Sequence, residues 1–84
     1  MKNKEELIRI GKDIKESGIR NNGKFKSLIM NLSGMKTIDI YETIVELCLQ
    51  ENIECQELID AGSEFRDGEL AENDFRNMIY TVLL

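Results

Sequence analysis

The stretch IDIYETIVELCLQE, residues 38–51, decides the fold. Its apolar residues Ile40, Tyr41, Ile44, Val45, Leu47, Cys48 and Leu49 would cover more than half of a helical cylinder. A helix that is apolar on several sides is expected at the centre of a bundle, with neighbours around it. Thr37 is placed to cap it, with Asp39 and Glu42 close to the positive end of the helix dipole. Asn52 marks its end.

Working outward, four more segments carry helical spacing. Residues 4–16 place Leu7, Ile10 and Ile14 on one stripe and stop at Ser17-Gly18. Residues 24–31 place Phe25, Leu28, Ile29 and Leu32 at i, i+3, i+4 and i+7, closed by Ser33-Gly34. Between them, Asn21-Asn22-Gly23 reads as a turn, with a short hairpin through Ile19 and Phe25 as the competing reading. A short helix is expected over 55–61, contributing Leu58 and Ile59, with Gly62 breaking the pattern before Phe65. The last segment, 70–83, carries Phe75, Met78, Ile79, Val82 and Leu83 at 3–4 spacing. The expectation is an all-α compact bundle of four or five short helices in a single domain spanning residues 1–84.

Length and composition narrow the function. Eighty-four residues have no room for both a cofactor module and a substrate domain. The sequence has no His, which removes the commonest general base and zinc ligand. Cys48 and Cys55 lie about two helical turns apart, without C-x-x-C spacing, and read as reduced apolar residues. No apolar run is long enough to span a membrane, and MKNKEELIRIGK at the start is not a secretory signal. These features predict a cytoplasmic, non-enzymatic protein with no cofactor and no metal. The net charge of −5 hides an asymmetry. Residues 1–36 hold nine basic side chains and four acidic ones; residues 37–84 hold twelve carboxylates against Arg66 and Arg76. Such a split speaks of partners rather than of fold.

Four candidate sites emerge. The segment SEFRDGELAEND, 63–74, echoes part of a calcium loop, but Phe65 falls where an oxygen ligand belongs, so it reads as an Asp-Gly turn before a helix. The acidic run Glu51, Glu54, Glu57, Asp60 and Glu64, with spacing near three, reads as a solvated face or as a surface that docks on a basic protein patch. The basic first third, including Lys12, Lys15, Lys24 and Lys26, either touches phosphates or lies against the acidic helices; with Phe25 as its only aromatic residue, it offers a poor stacking platform. The apolar ending, with Leu83 and Leu84, belongs to the protein's own core or anchors to a partner or a homodimer mate.

KFKSLIMNL (24–32) followed by IDIYETIVELCLQENIE (38–54) resembles the central segment of late-transcription coactivators of T-even-type bacteriophages. Those are small acidic helical proteins that bind the host RNA polymerase flap and couple it to a sliding clamp. The resemblance implies that Ile44, Val45 and Cys48 are scaffold, that the polymerase-facing surface lies in the middle of the chain, and that Leu83-Leu84 anchors the clamp. The expected function is therefore a protein-binding regulator with a larger partner, RNA polymerase or another nucleic-acid enzyme. An acidic inhibitor occupying the nucleic-acid site of a host enzyme is the alternative. A direct nucleic-acid-binding module is the third reading.

Overall fold

The computed structural model describes residues 4–84; Lys2 lies outside them. Five α-helices follow in order: α1 (Lys4–Glu16), α2 (Gly23–Met30), α3 (Thr37–Gln50), α4 (Gln56–Arg66) and α5 (Glu72–Leu83). Short 3-10 turns at Gly18–Asn21 and Leu32–Gly34 join the first three, and no strand occurs among the described residues. The hairpin reading of residues 19–25 is thus replaced by a turn. Local chemistry explains why. Ser17 accepts from the Ile19 N–H at 3.1 Å and donates to the Ile14 carbonyl at 2.8 Å, closing α1 and opening the 3-10 turn. Asn22 then caps α2 by accepting from the Lys24 N–H at 2.8 Å.

The two connections that flank α4 share one device. Asn52 takes a left-handed φ of 56°, and the Ile53 N–H returns to the Cys48 carbonyl at 2.8 Å. Gly68, at φ 77°, does the same for α4, with the Glu69 N–H bonded to the Glu64 carbonyl at 2.8 Å. Both are Schellman endings, in which a left-handed residue lets the chain bond the last free carbonyls. Because Asn52 adopts this conformation with a side chain and Gly68 without one, Asn52→Gly is expected to be neutral to within about 0.5 kcal/mol, while Asn52→Val loses about 1–2 kcal/mol in urea unfolding.

Packing binds these elements into one core. α3 buries Thr37, Ile40, Tyr41, Ile44, Leu47 and Cys48, and packs against α2, α4 and α5. Leu49, expected on its buried side, is instead 61% exposed. α5 shares the centre, touching α1, α3 and α4, and its Phe75 stacks on Phe65 at 4.8 Å and tilts against Tyr41 at 5.3 Å. The radius of gyration of 11.8 Å is that of a fully compacted chain of this length, about 12 Å.

α4 departs most from expectation. It does not stop at Ala61 but continues through Gly62 to Arg66. Gly62 is there because Tyr41 presses on it: a β-carbon would fall 2.3 Å from Cζ of the ring. A helix-interior Gly costs about 1 kcal/mol relative to Ala, and here that cost permits close approach to a buried aromatic. Gly62→Ala is expected to push the Tyr41 ring aside and to lower stability by a net 1 kcal/mol or so, measurable as a lower urea midpoint.

Candidate functional site

Thr37, expected to cap α3, is 2% exposed and serves another purpose. Lys36 occupies the cap position without a side-chain bond. The Thr37 hydroxyl donates to Glu72 at 2.9 Å and accepts from Arg76 at 2.9 Å. Arg76 also donates to the carbonyls of Leu32 (2.9 Å) and Met35 (3.1 Å) and to the Tyr80 hydroxyl (2.9 Å). One half-buried guanidinium thereby ties α5 to the whole connection between α2 and α3. This is a structural knot.

The acidic run is partly consumed by the fold. Glu54 accepts from Arg9 of α1 with one carboxylate oxygen and from the Gln56 N–H, at 2.7 Å, with the other. Asp60 accepts from the Gln56 side-chain amide at 2.9 Å. Glu51 is exposed, whereas Glu57, Asp60 and Glu64 are half-buried on α4. Arg9 additionally bonds Glu6 and Asp13, so these charges raise its pKa, the Glu6 hydrogen bond most. Lys24 pairs with Glu46 at 2.8 Å. Two of the basic residues in the first third therefore lie against acidic partners later in the chain, Glu46 on α3 and Glu54 in the α3–α4 connection. In the 63–74 segment, Ser63 and Phe65 sit within α4, and among the described residues no group of three His, Cys, Asp or Glu is placed to hold a metal ion.

The cysteines face one another in the core between α3 and α4, both unbridged. A hydrogen bond between the two thiols, and burial, push the Cys48 pKa up, and the same bond pushes Cys55 down. Burial also raises Tyr41. The Tyr41 phenol stays protonated in the fold at pH values where the unfolded chain has released its proton. Its contribution is complete below the unfolded pKa of 10.0 and is lost as pH rises above it. Stability in urea should fall between about pH 9 and about pH 11, and Tyr41→Phe should lessen the fall.

The apolar ending divides at its last two residues. Leu83, expected as part of an anchor, is 5% exposed and belongs to the core, which corrects that assignment. Leu84 is 73% exposed. It lines a shallow cleft of about 300 Å³ with Ile8, Gly11, Lys12, Lys15, Thr81 and Val82. Ile8 is itself 52% exposed. A second cleft, about 430 Å³, shares Thr81 and is lined by Lys4, Leu7, Leu70, Asp74, Asn77 and Met78. Both open where α1 crosses α5 and together form a mainly apolar groove. The crossing is close because Gly11 has no side chain: a β-carbon there would lie 2.7 Å from the Val82 carbonyl oxygen.

Sequence reasoning missed Ile8, although the signal is there. Ile8, Lys12 and Lys15 fall at i, i+4 and i+7, so they share a side of α1 distinct from the core stripe of Leu7, Ile10 and Ile14. No helix among the described residues is long and apolar enough to cross a membrane. Comparisons with protein-family models, with curated proteins and with solved structures give no match.

Proposed function

We propose that this chain is a small non-enzymatic regulator that acts by binding a larger protein. The observation that carries this reading is the pairing of Ile8 and Leu84, two large apolar side chains left in solvent along one cleft while the core is closed. Apolar surface of this kind, grouped and edged by charge, is characteristic of protein contact sites. RNA polymerase is the first partner to test, given the resemblance of residues 24–54 to phage coactivators. The inhibitor reading, in which carboxylates imitate phosphates, is weakened because Glu54 has both oxygens engaged within the fold. The nucleic-acid reading is weakened by the internal partners of Arg9 and Lys24.

The test is a pull-down with the tagged full chain from nuclease-treated and untreated host lysate. Stoichiometric recovery of a protein in both is the expected outcome. Recovery of nucleic acid without a stoichiometric protein would refute the reading.

A further inference from the structure

Resting on the protein-binding reading above, we infer that the groove between α1 and α5 is the docking site, and that its occupant is an acidic amphipathic segment of the partner protein. The groove has an apolar floor from Leu7, Ile8, Leu70, Met78 and Leu84. A helix laid along such a floor inserts side chains at 3–4 spacing. Charge defines the rest of the partner. Among the described residues, the charged side chains lining the cleft around Ile8 and Leu84 are Lys12 and Lys15, and Lys4 and Asp74 line the adjoining cleft. Neither Lys12 nor Lys15 makes an ion pair with a described residue, unlike Lys24 and Arg9. Cations held at the edge of an apolar groove favour carboxylates flanking the incoming apolar side chains and speed encounter with them.

The same lysines argue against a second copy of this chain as the occupant. A two-fold dimer through this patch would gather both copies' Lys4, Lys12 and Lys15 into one interface, with Asp74 as the lining carboxylate on each side. Like charges brought together across an interface act against pairing.

The site is tested on the full chain by nitrogen-15 NMR with two synthetic probes: an amphipathic helical peptide with leucines at 3–4 spacing and glutamates elsewhere, and its counterpart with lysine for every glutamate. The glutamate peptide is expected to shift the resonances of Ile8, Gly11, Lys12, Lys15, Thr81 and Leu84, and the lysine peptide to leave them in place. Ile8→Ser, and separately Lys12→Glu with Lys15→Glu, should each weaken the glutamate peptide about tenfold or more. These side chains are solvent-facing, so the variants should keep the wild-type melting temperature, which confirms that folding is intact. Shifts centred on residues 51–64, equal binding of both peptides, or no shift at all would overturn the proposal. So would stronger engagement of the patch by phosphatidylcholine–phosphatidylglycerol vesicles, which would make it a lipid-binding face. A protein captured by wild type and equally by the Ile8 and Lys12/Lys15 variants would overturn this site while leaving the protein-binding reading standing.

Discussion

Arg76→Ala is expected to lower the stability of the fold by about 3 kcal/mol, or about 15 °C in melting temperature for a domain of this size. The guanidinium donates to four oxygens: two backbone carbonyls, the Thr37 hydroxyl and the Tyr80 hydroxyl. Hydrogen bonds from a charged donor are worth about 1.5–3 kcal/mol each, although those made by one side chain do not add fully. Truncation also takes one of two partners from the hydroxyl of Thr37, which is almost completely buried and keeps only Glu72, and removes the side-chain donor to the Leu32 and Met35 carbonyls. Arg76→Lys should recover only a small part, because a single ammonium cannot reproduce a planar fork of donors aimed in several directions. Hydrogen exchange gives a second readout. Residues 31–37 should lose protection more than α1 does, since Arg76 fastens that connection directly.

Gly11→Ala is expected to destabilise the protein by about 2 kcal/mol. At an unobstructed helix-interior position the same change would stabilise by about 1 kcal/mol, so the sign of the effect is the test. The added β-carbon would meet the Val82 carbonyl oxygen at 2.7 Å, and backbone cannot swing aside as a side-chain tip can. α1 and α5 must then separate, along the most extensive helix–helix contact in the molecule. Overpacking of this type costs about 1–3 kcal/mol or more. Gly62→Ala, where the obstacle is the tip of the Tyr41 ring, should cost less. Guanidinium unfolding of both variants ranks the two crossings.

Helix identity was legible from periodicity, and the reasons are local. α1 spans the expected 4–16, and α5 begins only two residues later than expected, because Ala71 takes the cap position. Gly62 misled because the residue that breaks isolated helices is also the residue that lets two elements touch. Which role it plays depends on Tyr41, twenty-one positions away. Thr37 misled in the same way: a capping residue type at a helix start, diverted to a long-range bond with Glu72. Arg76 carries no sequence signal at all, since no spacing rule links it to Leu32 or Met35. For the candidate site, the sequence left Leu84, together with Leu83, as core or anchor, and marked the lysines as charged residues. That α1 and α5 adjoin, bringing Ile8 beside Leu84, is a fact of topology which 3.6-residue periodicity does not encode.

The contact surface is addressed most directly by repeating the capture of a protein partner with the Ile8→Ser, Leu84→Ser double variant, at about 50 mM and about 500 mM salt. Wild type should retain its partner at the higher salt through the apolar contacts, and the double variant should release it. Unchanged capture by the double variant, or a partner bound by wild type only at low salt and lost when Glu51, Glu57 and Glu64 are neutralised, would contradict an apolar docking site and assign the contact to the acidic face instead.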